Sequence, residues 1–108
     1  MGVWIYLARF FAGAFLANGI PHYVSGTLGR PFPSPFASPP GKGDSSPIVN
    51  VLWGAANVAI GYLLVYHVGY FEMSHTRELL ATGAGGLLTS LQLARHFGTV
   101  QQGKPAHT

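Results

Sequence analysis

The chain has 108 residues, enough for one domain, and only 8% of them are charged against 48% apolar, whereas soluble domains carry about a quarter charged. A surface facing water on all sides is hard to build from so few charges, and the apolar residues cluster in long runs, which points to a membrane protein. Six Lys/Arg oppose three Asp/Glu, but they are scattered and form no basic stripe of the nucleic-acid-binding kind, and the absence of Cys excludes disulfides, thiolate metal sites and cysteine nucleophiles.

The first apolar run, residues 3–20 (VWIYLARFFAGAFLANGI), would span about 27 Å as a helix. It lacks a basic n-region and has Arg9 inside it, so it reads as a retained helix and not as a leader. Pro21 is expected to stop it. Arg9 shares a side with Gly13, Leu16 and Ile20, while Asn18 points the opposite way with Phe11 and Ala14. Two polar faces on one helix leave two explanations. Either Arg9 reaches the interface beside Glu72 or Glu78, or it meets another chain. The expectation taken is the partner chain, because three short helices bury little surface alone.

Residues 21–47 form a proline-rich loop holding Pro21, Pro31, Pro33, Pro35, Pro39, Pro40 and Pro47, seven of the eight prolines. Its first half keeps Tyr23, Val24, Leu28, Phe32 and Phe36, and its second half is polar. Proline stiffens the chain and removes donors, and aromatics at headgroup depth anchor a segment. The loop therefore reads as a semi-rigid arm lying at the membrane surface, with Phe32 and Phe36 touching the helix ends or a neighbour.

Ser46 and Pro47 are an N-cap and first-turn pair opening the second run, residues 48–71, about 36 Å long as a helix. At about 100° per residue, Asn50, Gly54, Asn57, Gly61 and Val68 share one stripe. Thr76 with Glu78 is expected to cap the third run, residues 79–98, about 30 Å long, which carries a stripe of Thr82, Gly86, Thr89, Leu93 and His96. Small and amide residues of this kind let helices approach and hydrogen-bond, so these two faces are expected to pack together. Gly98, Gly103 and Pro105 end the third helix, and 99–108 is a polar tail. The fold expected is thus all-α: one three-span membrane domain, residues 1–98. By the positive-inside rule, loop 21–47 and the C-terminus, with Arg30, Lys42, Arg95 and Lys104 on their side against Arg9 and Arg77 on the other, face the cytoplasm.

Chemistry-bearing residues are few. Asn18, His22, Tyr23, Asn50 and His96 would meet at the loop-side edge, where two His on different helices can hold a haem or a quinone carbonyl. The competing reading is that these histidines cap helix C-termini. His67, His75 and Glu72 match no zinc spacing, GKGDSS lacks the P-loop pattern, and the one Asp, Asp44, falls in a polar turn. No metal site and no catalytic set is expected.

The stretches RFFAGAFLANGIPHYVSG and NVLWGAANVAIGYLLV resemble the first two helices of the DoxX-like small bacterial integral membrane proteins, through Arg9, Gly13 and His22 above all. The resemblance implies a multi-pass protein of the bacterial inner membrane. That family typically has four helices and no proline-rich arm. Three functions compete: a non-catalytic structural or accessory subunit of a larger membrane assembly, through other subunits or self-association; a haem- or quinone-associated redox subunit using His22 and His96; and a homo-oligomeric pore lined by Asn50, Asn57, Thr82, Thr89 and Ser90. The first is the reading taken.

Overall fold

Ser46 opens the second helix as the sequence anticipates: its hydroxyl accepts from the Val49 N–H, with Pro47 as the first helical residue. The computed structural model describes residues 2–70 and 75–104 and contains three helices, α1 (Trp4–Thr27), α2 (Pro47–Tyr66) and α3 (Thr76–Gln102). The loop between α1 and α2 adds a pair of two-residue antiparallel strands, β1 (Phe32–Pro33) and β2 (Asp44–Ser45). The helices form a rod of 50 × 23 × 21 Å. Among the described residues, α2 is the one helix long and apolar enough to cross a membrane; polar residues dilute α1 (Arg9, Asn18, His22) and α3 (Thr82, Thr89, Ser90, Gln92, Arg95, His96).

Pro21 does not stop the first helix; it lies inside α1. The turn beyond it is held by tertiary contact, since His22 and Gly26 are both buried, which offsets the one backbone hydrogen bond that a proline forfeits. The stop comes eight residues later. Gly29 takes φ 73°, its N–H bonds the Gly26 carbonyl and the Arg30 N–H bonds the Ser25 carbonyl, the paired geometry that closes helices at a left-handed glycine. The loop is therefore 28–46. At the other boundary, Thr76 is the first helical residue and His75 the cap, without a side-chain capping bond. Helix α3 runs through Gly98 and ends at Gly103; Pro105 and the end of the tail lie outside the described residues, as does Glu72.

The expected pairing of the α2 and α3 stripes is overturned. Both helices pack on α1 and make at most marginal contact with each other. Contacts pair early α1 with late α2 but early α1 with early α3, so α2 runs antiparallel to α1 and α3 parallel to it. One seam of α1 is buried at a seven-residue spacing, Ile5, Ala12, Gly19 and Gly26, the repeat that keeps one helix against another over several turns. Asn50, Gly54, Asn57, Gly61 and Val65 of α2 are buried against it. A Cβ on Gly54 would stand 2.6 Å from the Tyr23 backbone nitrogen, and one on Gly61 2.6 Å from Leu16 Cγ. On the α3 side, Gly13 abuts the Thr82 carbonyl and Gly85 the Phe10 carbonyl, each too close for any side chain. The physical reason for the correction is that α1 has two contact faces and sits in the middle.

The interior is polar for its size. Among the described residues, Ile5, Ala12, Ala17, Pro33, Ala37 and Val65 are buried beside the polar Arg9, His22, Ser34, Asn50, Asn57 and Glu78.

Candidate functional site

Three polar contacts follow one another along α1. At the end remote from the loop, Arg9 is fully buried. Its Nε donates to Glu78 Oε1 at 2.9 Å, and its Nη1 donates to the carbonyls of Leu64 at 2.7 Å and Val68 at 2.6 Å. Leu64 is in the last turn of α2, where backbone acceptors lack intrahelical donors and the helix dipole is negative, and Val68 lies two residues beyond the helix. Glu78 lies in the first turn of α3, where a carboxylate is favoured, and its other oxygen meets His75 Nδ1 at 2.9 Å. One guanidinium thus ties the C-terminus of α2 to the N-terminus of α3 through α1. Arg9 is thus buried within the chain, not extended toward its surface. The sequence placed Glu78 on the same side as Arg9; the continuity of the pair, from residues 69 positions apart, was the missed step.

Midway, Asn18 Nδ2 donates to Asn57 Oδ1 at 2.9 Å, and Asn57 Nδ2 donates to the Trp53 carbonyl at 2.8 Å. At the loop end, Asn50 Nδ2 donates to the carbonyls of Phe32, Ser45 and Ser46 at 2.9, 3.2 and 3.1 Å. That fixes the amide's orientation, so Asn50 Oδ1, 2.8 Å from His22 Nδ1, is an acceptor. Neutral His22 therefore carries its proton on Nδ1 and its lone pair on Nε2. The rings of Phe32, Trp53 and Phe97 pack against His22, with centroids at 5.5, 6.4 and 5.9 Å.

The expected convergence at this edge is only partial. His22 and Asn50 meet directly. His96 Nε2 instead lies 2.7 Å from the Gly41 carbonyl, and the Phe97 ring contacts both histidines, so the two imidazoles are committed to different partners. Asn18 is a level deeper, with Asn57. Tyr23 turns outward to an apolar groove shared with Ala55, Val58, Ala59, Tyr62 and Leu63. Phe32 packs inside the chain; Phe36 stacks edge-on upon Trp53 yet stays 66% exposed. The loop is held over the helix ends by these rings, by Asn50 and by the Lys104–Asp44 ion pair.

On α3, the Thr82 hydroxyl bonds back to the Glu78 carbonyl, Gly86 lies along Gly13, and the exposed Ser90 bonds back to the Gly86 carbonyl. Thr89 borders a cleft with Asn18. Trp53 and Phe97, which build the surroundings of His22, were not singled out; their signal is aromatic residues at the loop end of α2 and α3. Among the described residues, no group of three or more His, Asp or Glu side chains is placed to hold a metal ion.

Compared with known proteins, the chain matches no family model, no curated protein and no solved structure. The resemblance to the DoxX-like proteins rests on the two quoted stretches alone.

Proposed function

We propose that this is a small multi-pass membrane protein, with all three helices in the bilayer, acting as a non-catalytic structural or accessory subunit of a larger membrane assembly. The observation that carries the reading is its reversed polarity. Arg9, His22, Asn50, Asn57 and Glu78 are at most 2% exposed, while Leu7, Phe11, Ile20, Leu52, Leu80, Leu87 and Leu91 are each more than half exposed. Large apolar side chains cover all three helices on the outside. In water that surface would be an aggregation hazard; in lipid it is the required one, and buried polar groups then hold the helices together. Helices of 24, 20 and 27 residues reach about 36, 30 and 40 Å, against a hydrocarbon core of about 30 Å. The excess of Lys and Arg on the loop side supports a cytoplasmic location for that side, and the DoxX-like resemblance supports the bacterial inner membrane.

A structural role is supported by how the polar groups are used. Arg9, Glu78, Asn50 and Asn57 are spent on joining helices. A redox reading has one feature in its favour, the unprotonated Nε2 of His22. A haem there would have to displace the packed rings of Phe32, Trp53 and Phe97, and His96 is engaged with Gly41. The pore reading needs Asn50, Asn57 and Ser90 on one lumen, whereas the two amides face α1 and Ser90 faces outward.

The test is gentle purification from the native membrane followed by intact mass measurement. Resistance to alkaline carbonate and arrival with further polypeptides are expected. Release by carbonate would refute the membrane reading. A bound haem or quinone mass would move the assignment to His22.

A further inference from the structure

Midway along α1 the internal pairing of polar groups is incomplete. Asn18 has used one N–H on Asn57. Its Oδ1 and second N–H have no partner among the described residues. Thr89, across the same cleft, is without a side-chain hydrogen bond among the described residues as well, although Thr82, Ser90 and Thr99 on the same helix all bond back to the preceding turn. The cleft has a volume of about 230 Å³ and is open to the outside, with Phe11, Ala14, Phe15 and Asn18 of α1 flanked by Trp53 and Thr89. Phe11 is 52% exposed. In hydrocarbon no solvent completes a carboxamide, so a half-used amide at this depth calls for a partner that brings its own donor and acceptor.

We infer that a second copy of this chain covers this face, α1 against α1, with the Asn18 side chains of the two copies hydrogen-bonded to each other. The inference rests on the membrane reading above and names a partner within that assembly. A two-fold interface sets each central residue against itself, so it must be self-complementary. Asn18 is, because its unused edge both donates and accepts. Phe11 and Phe15 are uncharged, and Ala14 is small enough for the backbones to approach. The one charge on α1 in this region, Arg9, is turned inward and buried. The bilayer does the rest: copies inserted the same way hold Asn18 at equal depth, so the register is set before they meet. α2 and α3 cover two flanks of α1; the opposite uncovered face, with Ile20 and Tyr23, carries no half-paired amide.

The chain has no cysteine, so a single introduced thiol reports one position. Ala14→Cys in native membranes, oxidised with copper phenanthroline, is expected to give a disulfide dimer on a non-reducing gel. Leu63→Cys, on the outer face of α2, is expected to give none. Adding Asn18→Leu to the Ala14→Cys chain should lower the dimer yield about tenfold, from the loss of interhelical hydrogen bonds, while Asn18→Gln should retain most of it. The same membranes are washed with carbonate. A chain that stays in the membrane but gives no dimer, or crosslinks from Ala14→Cys to a different polypeptide, overturns the second copy. A chain washed off overturns the membrane reading and this inference with it.

Discussion

Removing Glu78 while keeping Arg9 should be the most damaging single change in the molecule. In Glu78→Ala, Arg9 remains fully buried, retaining the carbonyls of Leu64 and Val68 but losing the Glu78 carboxylate. Breaking a buried ion pair on one side costs about 3–5 kcal/mol. Because two charge-assisted bonds to carbonyls survive, the lower part of that range, about 3 kcal/mol, is the expectation. Arg9→Met should cost a similar about 3 kcal/mol by a different route, since it strands Glu78 and frees two carbonyls at the end of α2. The double variant Arg9→Met/Glu78→Leu buries no charge, so it should be far less damaging than the sum of the two. A coupling above about 1.5 kcal/mol is expected between groups in one network. The assay is unfolding in detergent micelles by titration with SDS, followed by tryptophan fluorescence, for the four chains in parallel. Single variants costing less than about 1 kcal/mol, or costs that add in the double, would refute the reasoning. Arg9 would then be a solvated surface cation of the kind that makes weak ion pairs.

The packing of α1 on α3 makes a sharper steric forecast. Gly13→Ala drives a methyl into the Thr82 carbonyl and should destabilise by about 1–3 kcal/mol, whereas Gly83→Ala, with nothing within 4 Å, should be neutral or stabilise by up to about 1 kcal/mol; the same SDS titration reads both. Asn50→Leu removes the three bonds to loop carbonyls and the bond to His22, so proteolysis within 28–46 should speed up several-fold while α2 stays folded by circular dichroism. Lys104→Ala breaks an ion pair whose two side chains are partly exposed and should change stability by under about 1 kcal/mol. An effect as large as that of Glu78→Ala would mean that the tail holds the loop more than Asn50 does.

Some of this was open to a reader of the sequence and some was not, for identifiable reasons. Three helices follow from three apolar runs, and Ser46–Pro47 marks the start of α2 because capping is local chemistry. The α2 stripe of Asn50, Gly54, Asn57 and Gly61 was legible as a contact face. Its recipient was not, because a stripe shows where a neighbour lies and not which neighbour. The seven-residue spacing of Ile5, Ala12, Gly19 and Gly26 would have named α1, but Arg9 and Asn18 drew the reading to the polar positions of that helix. Pro21 misled because a proline removes one backbone bond, and the burial of His22 and Gly26 outweighs it. Gly29, followed by Arg30 and Pro31, was the true stop. Moving that boundary carried His22 from a loop edge into a helix. The Arg9–Glu78 pair joins residues far apart in the chain, so only the three-dimensional arrangement decides between it and the partner chain that the sequence suggested.

The two ends of the rod are closed by different means, and the difference bears on what the middle is for. One end is tied by Arg9, Glu78 and the end of α2, an arrangement in which charges neutralise helix termini. The other is closed by the loop, fastened at Asn50 and filled by Phe32 against His22 and Phe97. Between them α1 lies in the centre, with α2 on one side and α3 on another, and those two barely touch. A layer of this kind leaves two faces of its central helix uncovered, one with Ile20 and Tyr23 and one with Phe11, whatever the ends do. The second of these carries Phe11, Ala14 and Phe15 and, at its polar position, Asn18, whose Oδ1 and second N–H have no partner among the described residues. Leucine at that position would leave the buried Asn57 Oδ1 without its donor, so Asn18 has one task inside the chain, with its Oδ1 and second N–H left over. Keeping an amide there makes sense where something is to be bound, and both ends being already closed leaves this face as the place for it.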